Sequence, residues 1–155
     1  MVDIREKLIA DEGRVAEIVA LATKELRRVY APTSSGEGTA TQHRDCRPIS
    51  LVAVIGNVVA GVVEYHVRHD EMCIRGLAVD PQQRRCGIAR SLIHAVERIG
   101  VSCGKSKITL STINETGNPQ IFAKLGFSIV SEGPAEGFHG SDGQQVTKVN
   151  MCRTL

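Results

Sequence analysis

The sequence predicts an α/β (α+β) fold in which a mixed, mainly antiparallel central sheet is flanked by helices. Three stretches carry that expectation. Two β-rich runs, 49–55 and 58–67, are joined by Gly56-Asn57, a pair suited to a tight hairpin turn. From Met72 to Thr112 the order strand, turn, helix, strand favours a parallel pairing through a right-handed crossover. Ahead of both lies an apolar stripe with the 3.6-residue period of an amphipathic helix. At 155 residues the chain has the length of one ordinary domain, and one domain over 1–155 is expected.

In chain order, Val15, Ile18, Val19, Ala22, Leu26 and Val29 place the first helix between about Asp11 and Tyr30. The small and polar stretch Pro32 to Thr39 reads as a mobile loop running on to Arg47-Pro48. After the hairpin, a third strand covers Met72 to Val79 and stops at Asp80-Pro81, because proline cannot continue a ladder. Ile88, Leu92, Ile93, Val96 and Ile99 form a second helical stripe ending near Gly100 and Gly104. Lys107 to Thr112 follows as a strand, and a short helix from Pro119 to Leu125 ends at Gly126, which suits a left-handed cap. Two last strands, Phe127 to Val130 and Val146 to Met151, surround a Gly-rich loop from Gly133 to Gly143. No internal repeat is present.

Bulk properties narrow the partners. With 42% apolar and 23% charged residues the chain is in the globular range. A net charge of +2, from 19 basic and 17 acidic residues, argues against nucleic acid or a lipid surface as the main partner. Five cysteines without a CxxC pair fit reduced thiols. The N-terminus lacks a signal-peptide pattern and no long apolar run suggests a membrane span, so the expected location is the cytoplasm. His43-Arg44-Asp45-Cys46 has ligand types at no recognised metal spacing and reads as loop, and no metal is expected.

The chemistry concentrates at Arg84-Arg85-Cys86-Gly87-Ile88-Ala89-Arg90, where a strand enters a helix through small residues. Amides at a helix N-terminus lack intrahelical acceptors and carry the positive end of the dipole, so an anion can dock on them. Gly87 and Ala89 leave the backbone open to a phosphate, and Arg84, Arg85 and Arg90 add charge. Neither GxxxxGK[ST] nor GxGxxG occurs, which makes ATP and NAD poor candidates. The remaining pattern, [QR]-x-x-G-x-[GA], is met by Arg84, Gly87 and Ala89. With Val79-Asp80-Pro81 before it and Phe122-Ala123-Lys124-Leu125-Gly126-Phe127 after it, it resembles the central motif of the GCN5-related N-acetyltransferase (GNAT) superfamily. The resemblance extends over about Met72 to Val130.

That resemblance implies acetyl-coenzyme A as acyl donor and a splayed parallel strand pair as its groove. Gly76 fits the bulge that such a strand carries. By analogy, backbone groups of Leu77 and Val79 bind pantetheine, and amides from Arg85 through Arg90 hold the pyrophosphate. Asn114 and Asn118 compete for a cofactor-contacting role, and Phe122 occupies the position where family members usually have tyrosine. Phenylalanine has no hydroxyl to protonate the departing thiolate.

Acetyl transfer needs a neutral amine, whereas an alkylamine with a pKa of about 10.4 is mostly protonated at neutral pH. Glu71 and His66 are the titratable candidates for taking that proton, each against the alternative of an ordinary strand-end residue. Cys73 reads as a packed small hydrophobe rather than a nucleophile. The expected activity is acetyl transfer to a primary amine of a small molecule or peptide. A non-catalytic acyl-CoA-binding or sensing module is the alternative, an O-acyltransferase is a weaker third, and a homodimer is left open. The regions that usually shape the acceptor pocket, Tyr30 to Ile49 and Gly133 to Gln145, carry no diagnostic motif.

Overall fold

The computed structural model describes residues 1–33 and 47–155. The loop expected from Pro32 to Thr39, apart from its first two residues, and the stretch His43 to Cys46 lie outside them. In chain order the elements are β1 (Asp3–Glu6), α1 (Glu12–Leu26), β2 (Tyr30–Pro32), β3 (Ile49–Ile55), β4 (Val58–Val67), β5 (Glu71–Val79), α2 (Ile88–Ser102), β6 (Lys107–Ile113), α3 (Asn118–Lys124), β7 (Ser128–Pro134), β8 (Phe138–Gly140) and β9 (Thr147–Thr154). Seven strands form one sheet in the order β1-β3-β4-β5-β6-β9-β7, and β2 pairs with β8 separately. All pairings in the main sheet are antiparallel except β5 with β6.

The hairpin of β3 and β4 forms with the expected bounds, and Gly56 (φ 54°) and Asn57 (φ 68°) both take the left-handed conformation that a type I′ turn requires. On one face of the sheet α2 buries Ile88, Leu92, Ile93 and Val96 against Val63, Tyr65, Met72, Ile74 and Ile108. Gly61 permits that approach: a Cβ there would lie 2.8 Å from Ile88 Cγ2. On the other face Ile18 of α1 is fully buried among Val52, Val62 and Ala78. Each helix stripe therefore meets the side of the sheet whose residues alternate towards it.

Two expectations are corrected. The first helix ends at Leu26 rather than Tyr30, because Tyr30–Pro32 leaves it to pair with Phe138–Gly140, and Pro32 has no N–H to continue a helix. The Gly-rich loop from Gly133 to Gly143 contains the end of β7, where Gly133 and Pro134 pair with Lys148 and Thr147, and all of β8, whose partner β2 lies far back in the chain. A short edge strand, β1, was not foreseen; its four residues, three of them charged, give no apolar run. Among the described residues no helix is long and apolar enough to cross a membrane.

Candidate active site

Parallel pairing of β5 with β6 covers three positions: Glu71 with Lys107, Met72 with Ile108, and Cys73 with Thr109. Beyond Cys73 and Thr109 the two strands pair with other neighbours but not with each other. A V-shaped opening results, with main-chain groups of 74–79 and 110–113 along its arms. The register of β4 against β5 shifts between Glu64–Gly76 and Tyr65–Ile74, which leaves Arg75 as the extra residue of a bulge beside Gly76. One inserted residue reverses the alternation. Met72 and Ile74 face α2 before it, and Leu77 and Val79 pack towards the same core after it.

At the open end of the V, β5 runs into a 3₁₀ turn at Pro81–Gln83 and then into α2. Asp80 organises this corner. Its carboxylate accepts the Gln82 N–H at 2.9 Å and an ion pair from Arg14 of α1, while its own N–H donates to Ala60 O at 2.8 Å. The Gln82 amide first, and Arg14 after it, hold the Asp80 carboxyl below the usual carboxylate range. Arg14 also donates to Val59 O at 3.1 Å, so α1, β4 and the corner are cross-tied.

The turn itself is backbone-rich. Arg85 (φ 65°) and Gly87 (φ 76°) are both left-handed, and a Cβ on Gly87 would meet nothing within 4 Å. Packing does not demand glycine there; its conformation and the open space do. The Ser91 N–H is the first to bond within the helix, to Gly87 O at 3.0 Å. Ile88, Ala89 and Arg90 thus present amides without an intrahelical acceptor. These orphaned donors over open space can seat an anion such as a pyrophosphate. Cys86 is exposed, and its thiol donates weakly to Arg84 O at 3.7 Å.

The three arginines are not equivalent. Arg84 is paired with Glu25 of α1 at 3.0 Å, and Arg90 donates to Lys124 O at 3.2 Å. Arg90 and Arg153, which donates to Leu125 O at 3.2 Å, satisfy carbonyls at the end of α3. Arg85 makes no ion pair among the described residues.

The other arm of the V continues from β6 into a 3₁₀ turn at Asn114–Thr116 and into α3. Asn114 is exposed, and Asn118, the first residue of α3, is half-buried. Phe122 packs edge-to-face on Phe127, with ring centroids 5.8 Å apart, and the Gly126 expected to cap α3 has a φ of 93°. Leu77, Val79 and the turn therefore stand on one arm and Asn114, Asn118 and Phe122 on the other. Glu71 and His66 stand at the opposite, closed end. His66 is the cross-strand partner of Cys73, level with the vertex, and Glu71 lies two residues before it, about 7 Å along the strand. Arg68 pairs with Glu71 at 3.5 Å.

The sequence did not single out a pocket of about 550 Å³ on β6 beyond the vertex. Ser111, Tyr30, Phe138, Glu136 and Lys148 line it. Tyr30, Glu136 and Phe138 fall within the two regions expected to shape the acceptor pocket, and the alternation of polar Lys107, Thr109 and Ser111 with buried Ile108 and Leu110 hinted at a polar face beside them. Among the described residues no group of three His, Cys, Asp or Glu side chains could hold a metal ion.

The sequence profile of the acetyltransferase (GNAT) family matches residues 11–127. No curated protein matches the chain by sequence. Among solved structures, a GCN5-related N-acetyltransferase from Kribbella flavida is similar with a TM-score of 0.77 at 20% identity, covering 99% of this chain and 98% of its own. The ribosomal-protein-S18-alanine N-acetyltransferase from Escherichia coli aligns with a TM-score of 0.68 at 19% identity, covering 99% and 94%. An aminoglycoside 6′-N-acetyltransferase complexed with coenzyme A aligns with a TM-score of 0.71 at 17% identity, covering 98% and 96%.

Proposed function

Because the chain belongs to the acetyltransferase (GNAT) family, we propose that it transfers an acetyl group from acetyl-coenzyme A to a primary amine of a small molecule or peptide, as one domain over 1–155. The observation that carries this reading is the V between β5 and β6, with unpaired amides of Ile88 to Arg90 at its mouth. A pantetheine arm can pair with strand edges that have no partner, and a pyrophosphate with helix amides that have no acceptor. Leu77 and Val79 would offer main-chain groups to the former, and Arg85 through Arg90 to the latter. Asn114 or Asn118, with Phe122, would flank the donor from the second arm.

The acceptor nitrogen attacks the thioester carbonyl carbon. A C–N bond forms, the C–S bond breaks, the amine loses a proton and the coenzyme A thiolate gains one. His66 and Glu71, beside the vertex, are the groups proposed to take the amine proton, through water where the distance requires it. Phe122 cannot donate a proton, so the thiolate leaves unassisted by that position.

The same phenylalanine favours the second reading, a non-catalytic acyl-CoA-binding or sensing module. A panel of amines with acetyl-coenzyme A and a thiol-release assay separates the two. Release that depends on an amine is expected; tight binding of acetyl-coenzyme A with no release for any amine would establish the sensor instead. We further place this activity in the cytoplasm, consistent with the reduced-thiol cysteine pattern.

A further inference from the structure

The pocket on β6 has a chemistry of its own, and we infer that it accepts zwitterionic α-amino acids with an aromatic or large apolar side chain. This rests on the transferase reading and specifies its acceptor. Tyr30 and Phe138 form one wall, edge to face with centroids 5.6 Å apart at 74°. Phe138 is 40% exposed, and Tyr30 is held from behind by the Arg27 guanidinium, 5.5 Å from its ring centroid. A solvent-facing aromatic wall over a pocket gains most from an apolar group laid against it. Ile113, buried with Ala135 and Val146, extends the apolar surface beneath.

The opposite side is polar and ordered. Ser111 donates to Asn150 Oδ1 at 2.6 Å, and Asn150 Nδ2 donates to Ser131 Oγ at 2.9 Å. This chain across β6, β9 and β7 commits the Ser111 proton and leaves its oxygen lone pairs to accept an N–H from an amine. Ser111 lies two residues beyond Thr109, where the strands part, so an amine held there lies beside the opening.

Charge then selects the rest of the ligand. Among the described residues, Lys148 and Glu136 are the charged ones lining the pocket, and neither makes an ion pair there. One cation and one anion match a zwitterion; a diamine would face Lys148 and a dicarboxylate Glu136 with like charge. Lys148 is the cross-strand partner of Ile113, while Ser111 is the partner of Asn150. Ser111 and Lys148 are therefore diagonal neighbours with Cα atoms about 7–8 Å apart. An amino group and a carboxylate on one carbon can meet both.

The test compares phenylalanine, phenylalaninamide and phenethylamine as acceptors, by thiol release, in wild type and Lys148→Gln. The wild type should prefer phenylalanine over its amide by about tenfold or more in kcat/KM, the size of a hydrogen-bonded charge contact. In Lys148→Gln that ratio should fall towards one. Equal use of acid and amide by the wild type, or a ratio unaffected by the substitution, would overturn the inference while leaving the transferase standing. In parallel, calorimetry measures phenylalanine binding to the protein saturated with coenzyme A. Binding that Lys148→Gln weakens, with no thiol release from any amine, would refute the transferase and uphold the pocket; no binding refutes the pocket.

Discussion

Arg14 on α1 and Asp80 at the end of β5 form an ion pair that fastens the first helix to the corner preceding the Arg84 to Arg90 turn. The same carboxylate caps the corner through the Gln82 N–H. Helix, strand end and turn are thus held by one side chain, and the turn's amides are aimed before any ligand arrives.

Asp80→Ala removes both contacts. A loss of about 1–2 kcal/mol in urea unfolding is expected, the usual cost of deleting a capping side chain together with a partly exposed charge pair. Acetyl-coenzyme A affinity should fall as well, because the turn loses its anchor. Unchanged affinity, measured by calorimetry, would mean that α2 alone sets the turn.

Gly87 separates conformation from space. Gly87→Ala must hold a side chain at a φ of 76°, at a cost of about 1–2 kcal/mol. Gly87→Glu adds a carboxylate where the phosphate is proposed to sit and should abolish acetyl-coenzyme A binding with a circular dichroism spectrum like the alanine variant's. A Glu variant that binds as well as the Ala variant would refute the seat.

Part of the acid sensitivity should trace to Asp11. Its carboxylate takes two hydrogen bonds from Arg5, at 2.6 and 3.1 Å, and one from the Leu8 N–H at 2.7 Å. Arg5 foremost, then the Leu8 amide, lowers its pKa from 3.8 to about 2. A carboxylate whose pKa is depressed by folding stabilises fully above its unfolded pKa, and that contribution is lost as pH falls from about 4 through about 2. Asp11→Asn should therefore melt below wild type at pH 6, and the two melting curves should converge near pH 2. A constant difference across that range would show that the charge is not what matters.

Legibility in the sequence tracks how local each signal is. The hairpin, the third strand and α2 were readable because each is coded by neighbours: two adjacent residues able to take positive φ, an alternating run, a 3.6-residue stripe. The Arg84 to Arg90 turn was readable for the same reason, since a helix start and its glycine lie within one short segment. Tyr30 was misread as helical because its partner in the sheet is Gly140, more than a hundred positions later, and nothing beside it announces that pairing. The bulge shows the intermediate case. Gly76 marked the place, but only the register against β4 identifies Arg75 as the extra residue.

The sequence alone carries the central hairpin, the strand–turn–helix–strand order from Met72 to Thr112 and the resemblance to acetyltransferases, because these depend on short-range propensities and on small residues at fixed spacing. The tertiary structure decided that β5 and β6 part after Cys73 and Thr109, that Arg84 and Arg90 are engaged by Glu25 and Lys124, and that Tyr30, Ser111, Phe138 and Lys148 meet around one pocket. Those residues come from four separate segments. Long-range strand pairing brings them together, and its energy depends on burial and register across the whole sheet, which no local window of sequence contains.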